Sequence, residues 1–290
     1  MLSVALATCA AVPELTPDDG LLLEELRRRG ASARAEVWDD AAVPWAGYDA
    51  VVLRSCWDYH LRLQAFVEWT ARVEAAGATL WNPGALVRAN AHKSYLRALA
   101  ASGVAVLPTA WLPRGAGVDF AAVLADRGWD QAVVKPAVSA SAHRTWRVAR
   151  DAARSRQAEL DTLLADGDVL VQDFAPEVAA EGEWSFVFLA GDYSHAVLKR
   201  PAAGDYRVQD EWGGTASASA PAPALVDQAR RVAGTVPGRW LYARVDGIDR
   251  SGVLVVMELE LIEPCLFLSR AETAPSRLAD AILLGGPPAR

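Results

Sequence analysis

Apolar and polar positions alternate with two different periods along the chain. Residues 2–8 are an uninterrupted apolar run of strand length, which predicts a buried strand. A polar loop with Pro13 and Pro17 follows, and Asp18 or Asp19 is placed to cap a helix over residues 21–29 that stops at Gly30. Residues 33–38 and 50–54 read as a second and third strand. Residues 61–76 carry a helical apolar face of Leu61, Phe66, Trp69 and Val73 and end at Gly77. Strand, helix and strand alternate, so this stretch predicts a small parallel α/β layer. Asn82-Pro83-Gly84 interrupts the pattern and sets the first boundary.

Beyond it, the pattern predicts a helix over residues 92–101, a strand over 104–107, a helix over 118–127 and a strand over 131–135. Residues 145–149 read as the return strand of a hairpin, 150–164 as a helix and 168–173 as a strand. Residues 184–190 and 194–199 predict a β-hairpin around Gly191-Asp192. The Ala/Ser/Pro-rich stretch 215–223 reads as a linker. A helix over 224–236 and strands over 239–248 and 253–261 complete the sequence, which shows no internal repeat. The expected division is 1–85, 86–168 and 169–290.

With 52% apolar and 22% charged residues, the chain can bury a sizeable core, which excludes disorder as its main state. No apolar run approaches the roughly 20 residues of a membrane-spanning helix. A net charge of -7 disfavours nucleic acid as a partner. Cys9, Cys56 and Cys265 are far apart, with no Cys-x-x-Cys, so neither a disulfide framework nor a zinc site is expected and a reducing cytoplasm fits best. The apolar N-terminus has no basic flank and reads as a strand, not a signal peptide.

Candidate chemistry lies at three places. In Glu258-Leu259-Glu260, strand alternation points both carboxylates the same way, about 7 Å apart at roughly 3.4 Å per residue. Two like charges in an apolar strand suit a hard cation such as Mg²⁺ held together with phosphates. Asp246 joins that face if the preceding strand pairs through an odd-numbered loop. A strand with a solvated acidic face would give the same string. Second, Lys135 closes an apolar strand just before Pro136, where it is poorly solvated and suits an anion. The small-residue loop after it, with Ser139 and Ser141, lets backbone N–H groups approach a phosphate. Lys93, Lys199, Arg200 and Arg207 are further candidate cations, although each alone could be a surface charge. Third, Arg54-Ser55-Cys56-Trp57-Asp58-Tyr59 follows the third strand, where ligands of open α/β sheets bind. Arg54 could hold a carboxylate and Asp58 an ammonium, with Ser55 and Tyr59 beside them, or the segment could simply cap a helix. There is no Gly-x-x-x-x-Gly-Lys-Ser/Thr loop, no Gly-x-Gly-x-x-Gly and no Gly-x-Ser-x-Gly.

In this order the motifs resemble the ATP-grasp superfamily, in particular its glutathione-synthetase-like and RimK-like ligases, over roughly residues 90–268. The resemblance implies an α/β (α+β) fold: a small parallel N-terminal domain and a two-part ATP-binding domain with an antiparallel sheet. It implies that Lys93, Lys135, Ser139 and Ser141 meet the phosphates, that Gln172, Asp173 and Phe174 meet adenine, and that Glu183 meets the ribose. Lys199 and Arg207 would face the transferred phosphate, and Asp246, Glu258 and Glu260 would hold Mg²⁺. Glu260 stands where the family usually has Asn, and the loop after Lys135 lacks the usual glycines. The strings Arg54–Tyr59, Gly182-Glu183-Trp184-Ser185, Gly204-Asp205-Tyr206-Arg207 and Glu258-Leu259-Glu260-Leu261-Ile262-Glu263-Pro264 are similar to a narrower subgroup, the cyclo-ligases of D-cycloserine biosynthesis.

The implied activity is an ATP-dependent ligase that activates a carboxylate as an acyl phosphate and joins it to nitrogen. Its substrate would be small and amino-acid-like, with ring closure of O-ureido-D-serine as the subgroup's version. Nucleic acid and membrane are not expected as partners, and a homodimer is compatible with the sequence. Alternatives are a ligase acting on peptides or protein termini and a nucleotide-binding protein without turnover.

Overall fold

The computed structural model describes residues 1–209 and 212–285. The first layer is built from β1 (Ser3–Thr8), α1 (Pro17–Arg28), β2 (Ser32–Val37), β3 (Ala50–Leu53), α2 (Leu63–Ala75) and β4 (Thr79–Trp81). All four strands are parallel, in the order β2-β1-β3-β4. β1 and β3 are covered on both faces, which is why their sequences are continuous apolar runs. Helix α1 begins earlier than the sequence pattern suggested. Thr16, not Asp18 or Asp19, is the N-cap and accepts the Asp19 N–H, with Pro17 in the first turn. Both aspartates are thereby free for tertiary contacts.

Helices α3 (Gly84–Asn90) and α4 (Tyr95–Ala101) lead into a second sheet made of β5 (Thr109–Leu112), β6 (Gln131–Pro136), β7 (Trp146–Ala149) and β8 (Val169–Asp173). Between these strands lie α5 (Phe120–Arg127) and α6 (Gln157–Asp166), which cover one face. The sheet is antiparallel, in the order β5-β8-β6-β7. β8 therefore belongs with the central strands, and the expected boundary at 168/169 cuts through this sheet. Residues 104–107, expected as a strand, make only an isolated bridge between Val106 and Val256.

After the short helix α7 (Glu177–Ala180) come β9 (Glu183–Leu189), β10 (Asp192–Arg200), β11 (Thr215–Ala218), α8 (Pro223–Ala233), β12 (Tyr242–Arg250), β13 (Val253–Glu260) and α9 (Ala274–Leu283). These strands form an antiparallel sheet ordered β11-β10-β9-β12-β13. The supposed linker at 215–223 supplies an edge strand, β11, paired with β10. The C-terminal helix α9, which the sequence pattern left unread, returns to the first layer: Leu278 and Ile282 share a core with Leu22 and Leu26 of α1 and Leu189 of β9. No helix among the described residues is long and apolar enough to cross a membrane.

Candidate active site

The β12–β13 hairpin sets the site's register. Arg250 pairs with Val253 across the two-residue turn Ser251-Gly252, both with left-handed backbones. That turn alone would put Met257 opposite Asp246. A bulge between Asp246 and Gly247 shifts the pairing, so Asp246 stands opposite Glu258 and Arg244 opposite Glu260. Gly247 permits it, because a Cβ there would lie 2.6 Å from the Val255 carbonyl oxygen. On the other side Asp246 pairs with Ser185 of β9. One row of the sheet thus reads Ser185, Asp246, Glu258. Glu183 pairs with Lys199 of β10 at the sheet's end.

This face forms one wall of a cleft of about 450 Å³. β6, the end of β8 and the loop after Lys135 contribute to its lining, as does Arg207. Charges on the wall are matched almost one to one. Lys199 Nζ lies 2.6 Å from Glu183 and 3.5 Å from Asp246. Arg244 reaches Asp246 at 2.8 Å and Glu260 at 2.6 Å, and Ser185 Oγ donates to Asp246 at 2.6 Å. Lys135 lies 3.0 Å and Lys93 3.7 Å from Glu258. Burial works against the charge on Asp246, yet Arg244 and Lys199 hold its carboxyl below the usual range. Lys93 and Lys135 do the same for Glu258, again against burial. Glu260 goes the other way: burial, with Asp246 and Glu258 close by, outweighs Arg244 and pushes it up to about 7.

Lys93 and Lys135 come together from separate segments. The Lys93 ammonium donates to the Ser139 carbonyl at 2.9 Å, tying α4's approach to the loop after β6. In that loop Ser141 and Ala142 have φ of 49° and 54° without being glycine. Consecutive left-handed residues curl the backbone into the arc that suits an anion. Ser139, Ser141 and Ala142 line the cleft. Gln172 and Asp173 end β8 and Phe174 follows it, and with the apolar Leu107, Val133 and Met257 they line a slot of the cleft. The Gln172 amide donates to Thr109 at 3.2 Å, and Arg147 stacks 5.0 Å over Phe174.

Among the described residues, no three His, Cys, Asp or Glu side chains form a ready-made metal cage. The donor set still suits a hard cation completed by phosphates, which needs only one or two carboxylates. Glu258 is among the charges that act on Glu260, as expected of two carboxyls on one face of β13, and a cation between them would relieve that repulsion.

The segment expected to clamp the substrate serves the fold instead. Arg54 is 1% exposed, with Nε 2.8 Å from Asp19 and Nη2 2.7 Å from the Pro264 carbonyl. Ser55 Oγ donates to the other Asp19 oxygen at 2.6 Å. Asp58 accepts from Trp38 Nε1 at 2.8 Å and from Arg62 at 2.7 Å. Arg54, Ser55 and Asp58 do not line the cleft, whereas Tyr59 and Trp57 do. Arg54 and Ser55 are satisfied by the buried Asp19, and Asp58 by Trp38 and the exposed Arg62, so these three pack and pair within the fold while Tyr59 faces the cleft. Arg207 sits at the rim, held by Asp205 at 2.8 Å and lying 3.4 Å over the Trp212 ring. Two charged cleft residues were not singled out from sequence as site candidates, Arg244 and Glu263. Arg244 could have been, since it precedes Asp246 by two residues on one strand and must share its face.

Residues 4–82 match the family model described as the N-terminal domain of the D-cycloserine synthetase DcsG. The chain is 31% identical to the cycloserine biosynthesis protein DcsG of Streptomyces lavendulae, over 96% of this chain and 97% of that one. It superposes on the crystal structure of D-cycloserine synthetase DcsG with a TM-score of 0.85 at 30% identity, covering 98% of this chain and 99% of the other. A D-alanine–D-alanine ligase from Bacillus anthracis, crystallised with ATP, has the same fold at a TM-score of 0.69 and 14% identity, over 98% and 97% of the two chains.

Proposed function

The chain belongs to the family of the cycloserine biosynthesis protein DcsG, within the ATP-grasp ligases, and we propose that it uses ATP to join the carboxylate of a small amino-acid-like substrate to nitrogen through an acyl phosphate. One observation carries this reading: Lys93, Lys135, Lys199 and Arg244 meet Asp246, Glu258 and Glu260 in a single cleft that includes this slot. The nucleotide base lies in the slot beside Gln172, Asp173 and Phe174, with Glu183 toward the ribose. Lys93, Lys135 and the curled 139–142 backbone receive the phosphates. Asp246, Glu258 and Glu260 would hold Mg²⁺, which when bound neutralises phosphate charge.

A substrate carboxylate oxygen attacks the γ-phosphorus and ADP leaves. A nitrogen then attacks the acyl carbon, phosphate leaves, and the nitrogen gives up its proton. Arg244 and Lys199 face the place where negative charge grows, and Arg207 stands at the rim to join them. Their work is positioning and electrostatic, since an acyl-phosphate route asks little of a general base. The finer reading is intramolecular: the nitrogen bonded to oxygen in O-ureido-D-serine closes on its own carboxyl carbon, on the way to D-cycloserine. The whole-length likeness to a protein named for cycloserine biosynthesis supports it.

A coupled ADP-release screen with Mg²⁺, over small amino acids and O-substituted serines, tests the proposal. ADP should appear only when an amino acid is present, fastest with O-ureido-D-serine. ADP release indifferent to the amino acid, or absent with all of them, would defeat it.

A further inference from the structure

Glu263 follows β13 by three residues, lines the same cleft and has no match for its charge. The cleft-lining carboxylates of β9, β12 and β13 each meet a lysine or arginine: Glu183 meets Lys199, Asp246 and Glu260 meet Arg244, and Glu258 meets Lys135. Among the described residues no lysine or arginine forms an ion pair with the Glu263 carboxyl, and Lys93 and Arg244 act on it only at longer range. Lys93, the cation nearest in charge effect, is engaged by the Ser139 carbonyl and by Glu258. The loop carrying Glu263 is nonetheless well held. Its backbone carbonyl accepts from Trp57 Nε1 at 3.2 Å, and the next residue's carbonyl accepts from Arg54 at 2.7 Å.

A half-buried carboxylate fixed in a cleft without a partner is unfavourable by itself and gains from a cation brought from outside. Burial, with the Glu260 charge next, pushes its carboxyl up to about 8, as expected of a group lacking such a cation. Position narrows the identity of that cation. The ammonium and carboxylate of an α-amino acid share one carbon, so the ammonium must lie within a few bonds of the carboxylate being activated. Glu263 is three residues beyond Glu260, at the end of the wall where Arg244 faces the reacting phosphate. Asp58, which could have taken an ammonium, is committed to Trp38 and Arg62. Trp57, whose Nε1 donates to the Glu263 carbonyl, lines the cleft with it, as do the chain neighbours Ile262 and Cys265.

We infer that Glu263 receives the α-ammonium of the amino-acid substrate, so that the enzyme selects free α-amino acids over N-acylated or peptide-linked ones. The inference rests on the ligase reading above and adds the group by which its substrate is recognised.

Calorimetry with AMP-PNP and Mg²⁺ present tests it, comparing O-ureido-D-serine with 3-(ureidooxy)propanoate, the same molecule without its ammonium. Wild-type protein should bind the amino acid at least about tenfold more tightly than the analogue, as expected for a charge-assisted contact. Glu263→Gln, which keeps the shape of the side chain, should lose most of that preference by weakening the amino acid alone. AMP-PNP affinity should be the same in both proteins. Unchanged amino-acid affinity in Glu263→Gln, equal weakening of both compounds, or no binding of O-ureido-D-serine to the wild type would overturn it. Turnover is read separately as ADP release. Failure of the ligase reading would therefore appear as ammonium-selective binding without ADP, a different result.

Discussion

Replacing Arg54 with methionine decides between two roles for the segment after β3. As a substrate clamp, Arg54 would affect affinity and little else. The geometry assigns it to the fold. Its guanidinium is 1% exposed, donates to Asp19 at 2.8 Å and to the Pro264 carbonyl at 2.7 Å, and lies 5.0 Å from the Tyr242 ring centroid. Methionine fills much of the volume but leaves Asp19, itself 4% exposed, with only the Ser55 hydroxyl. Breaking a buried pair by removing one partner costs about 3–5 kcal/mol, because the remaining charge stays desolvated. That is a large share of the roughly 5–15 kcal/mol by which a typical native protein is stable. Urea unfolding followed by circular dichroism should show the midpoint fall accordingly.

The partner variant sharpens the result. Asp19→Asn combined with Arg54→Met removes both charges, so the double variant should be less destabilised than the sum of the singles, with a coupling of about 0.5–3 kcal/mol. Folded Arg54→Met at low temperature should bind the amino-acid substrate as the wild type does. A wild-type urea midpoint together with a tenfold or greater loss of substrate affinity would refute this reasoning and return Arg54 to the substrate site.

Three further outcomes follow from the same geometry. Glu258→Gln should abolish ADP production at saturating Mg²⁺ with its circular dichroism unchanged, since losing a metal-facing carboxylate costs several kcal/mol of transition-state stabilisation; near-wild-type turnover contradicts the assignment. Lys135→Ala should raise the ATP dissociation constant at least about tenfold by calorimetry, and unchanged affinity would leave Lys135 as a partner of Glu258 alone. Glu263 has a folded-state value of about 8 against an ordinary 4.5, so its stabilising contribution is complete below about 4.5 and is lost as pH rises through about 8. Between those values the ligand-free wild type should lose urea resistance relative to Glu263→Gln, and parallel pH curves would count against it.

Where a strong apolar period coincides with a single local element, the sequence pattern was enough to place it. β1, β3, α2 and the β9–β10 hairpin lie where their apolar periods put them, within two residues at each end. The failures have particular causes. β11 reads Thr-Ala-Ser-Ala, an exposed edge strand with no apolar period to betray it. Helix α9 follows a broken stretch, and its apolar face is meant for α1, some 250 residues earlier, which no local window can register. β8 looked like the start of a new unit because its neighbour in sequence is β9. Its hydrogen-bonding partners are the earlier β5 and β6.

The site was legible in its charges and not in their partners. Alternation places Glu258 and Glu260 on one face of a strand wherever that strand goes, so this pair was safe. Asp246 was not, because its facing direction depends on how the hairpin is closed. An odd-numbered loop was the assumed route to bringing it opposite the glutamates. The protein uses a two-residue turn and then corrects the register with a bulge at Gly247, a change of one residue that flips everything beyond it. The same limit explains Arg54 and Glu263. Arg54, at the end of a strand of the parallel layer, invited a ligand role, and Glu263, three residues past the Glu258/Glu260 pair, drew none. Arg54 has Asp19 from α1 and Pro264 from beyond β13; Glu263 has no ion pair with a cation among the described residues. A charged residue becomes a candidate for binding when the fold leaves it unpaired, and that is a property of the assembled cleft. On this logic the acidic residue to exchange first, when relaxing the demand for a free α-ammonium, is Glu263 and not Asp58.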